Sequence, residues 1–280
     1  MPTADLATVP MWYDEHGQGD PCVLLHPGGG SSDSWRPVLG RLAERRRVVA
    51  FDIPGFGRTP APPDIEYSLE WVLDRFEQQL QRAGVATPVD LAGNSMGGWI
   101  ALEAAKRGLA RSVVALGPAG LWDHGMPKVL QNQFRVMLLG CRALRAPGQA
   151  VLRLPQARRA ALYAIVARPE RISYDAVVSM VRTFDHSRPV LEPLLRASRT
   201  MSFRDGQGIA CPITIAYGAQ DRMVHPPGPS VRAQLPAHTR WLDLPGCGHV
   251  PMSDNPELVA RTILEGSASR EASGTRTQAA

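Results

Sequence analysis

Ser95 stands in Gly93-Asn94-Ser95-Met96-Gly97, a G-x-S-x-G spacing in which one hydroxyl is flanked by glycines two residues away on each side. Glycine has no Cβ, so backbone can approach closely on both sides while the chain turns sharply and projects the serine at its tip. A serine hydroxyl is a weak nucleophile at neutral pH. It needs a base, usually histidine, that is itself oriented by a carboxylate. Alone, the pentapeptide also fits a tight strand-to-helix turn with a capping serine, so partners elsewhere in the chain must decide.

Seven histidines are available. His249, in LPGCGHVPMSD, follows a strand-like stretch and sits in a Gly/Pro-rich loop before a helix-like run, which makes it the candidate base. For the orienting carboxylate the choice is Asp221 in YGAQDRMVHP, three residues beyond the strand-like run that ends at Gly218. Asp52, Asp243 and Asp254 compete with it, and Asp52 also follows an apolar run. Attack on a carbonyl makes an oxyanion, which needs preorganised N–H donors. The His26-Pro27-Gly28-Gly29-Gly30 loop and the start of the run after Ser95 offer them, with Gly28 and Met96 as the donors and Gly29 as a further candidate. Pro27 has no N–H to give. Gly29 and Asn94 are assigned to substrate contact.

These residues need a frame. PCVLLH, RVVAFD, VDLAG, RSVVALG and PITIAYG are short, apolar and bounded by Gly or Pro, and read as buried strands. Ser34–Arg46, Ser68–Ala83 and Met96–Arg107 place apolar residues at three- and four-residue spacing and read as helices. Alternation of this kind predicts an α/β fold whose mostly parallel sheet carries helices on both faces. Sites in such sheets lie beyond the carboxyl ends of the strands. Each candidate residue follows an apolar run.

The rhythm breaks between Leu121 and Arg204, where QNQFRVMLLGCRALR, PQARRAALYAIVA and YDAVVSMVRTF read as amphipathic helices. This stretch holds 14 Lys/Arg against 5 Asp/Glu, a net of +9 in a chain whose total is +5. Attraction of an anionic substrate or interface would use such charge; arginine on an ordinary solvated surface is the preferred reading. The closing GSASREASGTRTQAA has too little apolar content to pack and is expected to be disordered.

No basic run beyond Arg45-Arg46-Arg47 and no aromatic-interleaved basic patch marks a nucleic-acid site. No apolar run reaches the roughly 18 residues of a membrane span, and no basic-then-apolar leader opens the chain, so a cytoplasmic location is expected. The four cysteines are scattered, with no CxxC pair, and no His/Cys cluster has metal-ligand spacing. Neither metal nor organic cofactor is called for; the expected partner is a small-molecule substrate, with the oligomeric state open.

Together, the HPGGG loop, the Asp52-Ile53-Pro54-Gly55-Phe56-Gly57-Arg58 turn, the GNSMGG elbow, and the GAQD and GCGH loops resemble the α/β-hydrolase superfamily over roughly Val9 to Gly266. The chain order Ser95, Asp221, His249 matches the nucleophile, acid, histidine order of that fold. The resemblance implies an eight-stranded, mostly parallel sheet with an inserted helical lid. It divides the chain into a core at 1–120 and 205–265, a lid at 121–204 and a tail at 266–280. It implies a serine hydrolase of the carboxylesterase or lipase kind, cleaving an ester or similar acyl bond through an acyl-enzyme. Two alternatives stand beside it. Carbon–carbon bond hydrolases of acidic vinylogous diketones often carry a G-N-S-M-G-G elbow, but typically follow the histidine with tryptophan, where this chain has Val250. A non-catalytic ligand-binding protein on the same scaffold is the other. Haloalkane dehalogenases and epoxide hydrolases place aspartate at the elbow, and Ser95 argues against both.

Overall fold

A computed structural model describes residues 10–61 and 68–267. Among the described residues seven strands form one sheet: β1 (Tyr13–His16), β2 (Pro21–Leu25), β3 (Arg47–Phe51), β4 (Val89–Asn94), β5 (Ala110–Leu116), β6 (Ile213–Gly218) and β7 (Arg240–Leu244). Their spatial order is β1-β3-β2-β4-β5-β6-β7. Only the β1–β3 pair is antiparallel, in register Tyr13 opposite Phe51; the remaining pairs are parallel.

The expected eighth strand is not among the described residues. Just ahead of β1 the chain is held differently: the Trp12 N–H donates to Thr59 Oγ1 at 2.8 Å, and the Trp12 carbonyl accepts from the Asp52 N–H at 2.9 Å. Those bonds tie the segment to the turn after β3. β1 itself escaped the sequence reading because YDEH is polar and mostly exposed, as suits an edge strand.

Period-2 geometry explains the apolar runs. Val23, Leu25, Val49, Phe51 and Leu91 enter the core on one face of the sheet. Cys22, Leu24, Val48, Ala50 and Ala92 enter the core on the other. Each fully buried Leu or Val contributes about 1.5–3 kcal/mol. Helices cover both faces: α1 (Arg36–Ala43), α2 (Leu69–Arg82) and α3 (Met96–Lys106) connect the first strands. The Ser68 side chain caps α2 by accepting from the Trp71 N–H at 3.1 Å.

Between β5 and β6 the chain forms α4 (Lys128–Ala143), α5 (Pro155–Leu162), α6 (Tyr174–His186) and α7 (Arg188–Ala197). α7 was not legible in sequence because Pro193 lies inside it. The short helices α8 (Pro229–Arg232) and α9 (Pro251–Asp254) lead to α10 (Pro256–Ser267). Gly266 and Ser267, assigned by sequence to the tail, close α10; residues 268–280 lie outside the described residues. Among the described residues no helix is long and apolar enough to cross a membrane.

Charge at the amino ends of the strands is structural. Asp90, at the start of β4, is buried and bonded by Arg46, Arg111 and Ser112. Burial opposes its charge, but these partners hold its carboxyl below the usual value. Chemistry is left to the carboxyl ends.

Candidate active site

β4 ends at Asn94, and α3 begins at Met96, so Ser95 alone makes the strand-to-helix turn. Its backbone lies at φ 53° and ψ −114°, a conformation L side chains rarely adopt. Packing enforces it. The Ser95 N–H donates to the Leu116 carbonyl at 2.9 Å, while its own carbonyl accepts from Trp99 and Ala119. The flanking glycines are explained by close approach: a Cβ on Gly93 would strike the Gly97 backbone, and one on Gly97 would strike the Leu25 and His26 carbonyls.

Asp221 and His249 meet. His249 Nδ1 lies 2.8 Å from Asp221 Oδ2, both side chains almost wholly buried. A carboxylate can only accept, so Nδ1 carries the hydrogen and Nε2 is left as the acceptor. The other Asp221 oxygen accepts from the N–H groups of Met223 and Val224 at 2.8 and 2.9 Å. Burial alone would raise the Asp221 pKa; the His249 charge, its hydrogen bond and these two N–H groups bring it below the ordinary value of 3.8. Asp221 is therefore ionised at neutral pH. The two loops are laced together by the Gln220 N–H donating to the Cys247 carbonyl at 2.8 Å.

The competing carboxylates are otherwise engaged. Asp52 Oδ1 accepts from the Ser32 N–H at 2.6 Å, and its Oδ2 accepts from the Arg58 N–H at 2.8 Å. Asp243 is exposed on β7. Asp254 is fully buried and accepts the N–H groups of Gly248, Ala167 and Arg168 at 2.7, 2.9 and 2.8 Å. It pins the His249 loop to the chain after α5, a role that sequence reasoning missed; the Val250 N–H reinforces it on the Ile165 carbonyl at 2.8 Å.

His26 is a strut. Its Nε2 accepts from the Ile53 N–H at 2.9 Å, and its Nδ1 lies 2.8 Å from the Pro27 carbonyl. Complete burial lowers its pKa against the opposing effects of Pro27 and Asp52, so it is neutral and holds the glycine loop to the turn after β3. The Gly28 and Met96 N–H groups have no hydrogen-bond partner among the described residues, and Met96 opens α3, where the helix dipole favours negative charge.

Two cavities meet at these residues. An inner chamber is lined by apolar groups including Trp99, Ile100, Trp122 and Leu130. A larger cleft of about 800 Å³ opens beneath α4 and α6. Gly28, Ser95, Phe134 and His249 line both. Gly29 lines the cleft. Asn94, in contrast, is fully buried and lines neither cavity among the described residues; its Nδ2 donates to the carbonyls of Leu116 and His249 at 2.8 and 2.9 Å. The expected substrate contact is thus a brace behind the site.

The segment's positive charge does not reach the cavities. No Asp, Glu, Lys or Arg lines the inner chamber among the described residues. The cleft has Asp33 and Arg36, which pair with each other at 3.0 Å. No disulfide joins the cysteines among the described residues, and burial pushes Cys22 up to about 12 and Cys247 up to about 11. Neither of these two thiols is poised as a nucleophile.

Known proteins share this frame. The chain is 33% identical over 196 residues to the epoxide hydrolase EphH of Mycobacterium tuberculosis (strain ATCC 25618 / H37Rv), an alignment spanning 68% of this chain and 90% of that protein. It is 37% identical over 114 residues to 2-hydroxy-6-oxo-6-(2'-aminophenyl)hexa-2,4-dienoic acid hydrolase of Metapseudomonas resinovorans, which covers 39% of each. The chain therefore spans about two fifths of that second relative's length. A crystal structure of a membrane phospholipase A superposes with a TM-score of 0.73 at 24% identity, over 94% of this chain and 88% of that one. Residues 22–262, a span that contains every candidate site residue, match the model of the alpha/beta hydrolase family. On that match, and on a sheet and elbow built as described, this chain belongs to the alpha/beta hydrolase family.

Proposed function

We propose that the chain is a serine hydrolase that cleaves a carboxylic ester or similar acyl bond of a small apolar molecule. The observation that carries this reading is the 2.8 Å Asp221–His249 bond, placed at a cavity that Ser95 and His249 both line. His249 Nε2 takes the Ser95 proton, and the alkoxide attacks the carbonyl carbon. The N–H groups of Gly28 and Met96 receive the oxyanion. His249 then protonates the departing alcohol, water resolves the acyl-enzyme, and ionised Asp221 keeps the imidazole oriented and stabilises its cation. The two cavities suit the two halves of an ester, with the apolar inner chamber taking a hydrocarbon group. The helices of residues 121–204 act as a lid on a core of residues 1–120 and 205–265.

Carbon–carbon cleavage is the second reading, favoured by the partial likeness to the dienoic acid hydrolase and by the GNSMGG elbow. An acidic substrate needs a cation. The inner chamber has none among the described residues, and Arg36 in the cleft is already paired, so ester hydrolysis is preferred. Epoxide opening, the chemistry named for EphH, is served by a carboxylate at the elbow, where this chain presents a hydroxyl.

A fluorophosphonate probe tests the proposal. The adduct is expected on Ser95 by peptide mass spectrometry, and Ser95→Ala should lose p-nitrophenyl ester turnover by on the order of 10⁶-fold. Near-normal hydrolysis by Ser95→Ala would sink the assignment. Absence of any Ser95 adduct would favour a non-catalytic binding protein.

A further inference from the structure

Six of the eight large hydrophobic side chains exposed among the described residues lie between Val129 and Tyr163. Isolated exposed hydrophobics are ordinary, but a cluster at the mouth of a site calls for a partner. α4 buries Leu130, Phe134 and Leu138 against the core, and turns Val129, Val136 and Leu139 outward with 68%, 68% and 65% of their surface exposed. Val129 and Val136 sit on the rim of the cleft that leads to Ser95. Tyr163, after α5, lines the same cleft and is also exposed.

Beside the apolar stripe runs a cationic one. Lys128, Arg135 and Arg142 recur at seven-residue spacing on α4, one position ahead of Val129, Val136 and Ala143, so the two stripes lie side by side on the helix. All three cations are exposed. None makes a direct ion pair among the described residues, whereas Arg145 and Arg188 of the same segment do; the Arg142 charge reaches Asp185 only as one of the weaker influences that lower its carboxyl pKa. Arg153 and Arg159 add charge beside Val151, Leu154 and Tyr163. Exposed apolar side chains bordered by exposed cations are the composition of a helix that lies in a lipid interface, its apolar edge among acyl chains and its cations at anionic headgroups.

We infer that the α4 face and the neighbouring Val151–Tyr163 stretch dock on an anionic lipid surface, which places the mouth of the cleft against the bilayer. The net +9 of residues 121–204 is complementary to such a surface. A nucleic acid would use the cations and leave the apolar stripe in water; a second copy of the chain would bring like charges together. The inference does not rest on the acyl chemistry, only on where the face and the cleft lie.

Vesicle sedimentation of the full chain tests it, using phosphatidylcholine vesicles with and without phosphatidylglycerol. Binding is expected only with phosphatidylglycerol and should fall steeply with salt, because exposed charges are screened. Each cation lost at an anionic surface weakens partition roughly fivefold, so Arg135→Glu with Arg142→Glu should lower it by at least about 25-fold. Arg135→Lys with Arg142→Lys should retain binding, since charge is kept. Leu139→Glu should also release the protein. Melting by circular dichroism verifies that each variant folds, and binding is read without turnover, so failure of docking and failure of ester hydrolysis are separate results. Equal binding to both vesicles, no binding at low salt, or full binding by the charge-reversed variant would each overturn the inference. So would a dimer in the absence of vesicles that Leu139→Glu dissolves, because a second copy would then cover this face.

Discussion

Asn94 and His249 are 155 residues apart in the chain, yet the Asn94 side chain donates to the His249 carbonyl oxygen at 2.9 Å. The same amide holds the Leu116 carbonyl at 2.8 Å. The residue immediately before the candidate nucleophile thereby sets the position of the loop that carries the candidate base. This brace crosses from β4 to the end of β5 and to the loop after β7, which makes the site a product of several strand ends.

Asn94→Ala should cost stability and turnover together. It leaves the buried His249 carbonyl without this donor, while the Leu116 carbonyl keeps the Ser95 N–H, so a loss of about 1–3 kcal/mol is expected in urea titration. Asn94 is a positioning residue on this account, so kcat for a soluble ester should fall while KM changes little. Lower stability with unchanged kcat would leave it a structural brace alone.

Asp254→Ala removes the acceptor shared by Gly248, Ala167 and Arg168. Charge-assisted bonds to buried N–H groups are the stronger kind, and the expected loss is about 3–5 kcal/mol. Native-state hydrogen exchange reads it locally: the three amides should exchange faster than those of β4, and Asp254→Asn should fall between the variant and the parent. Unchanged protection at these amides would refute the coupling.

Ser95→Gly should be more stable than the parent, though inactive. The φ of 53° is strained for serine and tolerated by glycine. A gain of about 1 kcal/mol over Ser95→Ala is expected from thermal melting, the mark of a conformation held for something other than stability. Equal melting of the two variants would remove strain from the account.

Acid should act in two windows. Burial holds His26 below its ordinary 6.5, so as pH falls past that value the unfolded chain takes up protons that the folded one does not, and stability declines. His26→Asn should flatten that first decline. Asp221 is held below 3.8; its contribution is complete above that pH and is lost as pH falls through the lower folded value. Asp221→Asn should soften this second decline, which Asp90 shares, and should lower kcat by on the order of 10³–10⁴-fold through loss of imidazole orientation. Urea midpoints measured from pH 3 to about pH 8 would separate the windows, and a single transition unaffected by His26→Asn would contradict the first.

Much of the frame was legible because burial on both faces writes a strand as an unbroken apolar run, as in PCVLLH and RVVAFD. The strand that was missed, YDEH, is an edge, where polar residues are required. The helix that was missed contains Pro193, a residue that normally ends one. Asp221 was preferred to Asp52 on chain order alone. The structure brings Asp221 to His249 and shows both oxygens of Asp52 bonded elsewhere.

The amino-acid sequence by itself determined the alternation of strand and helix, the glycine spacing around Ser95 and the placement of Ser95, Asp221 and His249 each just beyond an apolar run. These depend on local periodicity and on the steric freedom of single residues, which short stretches carry. Tertiary structure alone decided that Asn94 braces the His249 loop, that Asp254 fastens it to the helical segment, and that two cavities meet at Ser95. Those are matters of which way a side chain points and what distant backbone it meets, and only the packed sheet brings such groups within hydrogen-bond reach.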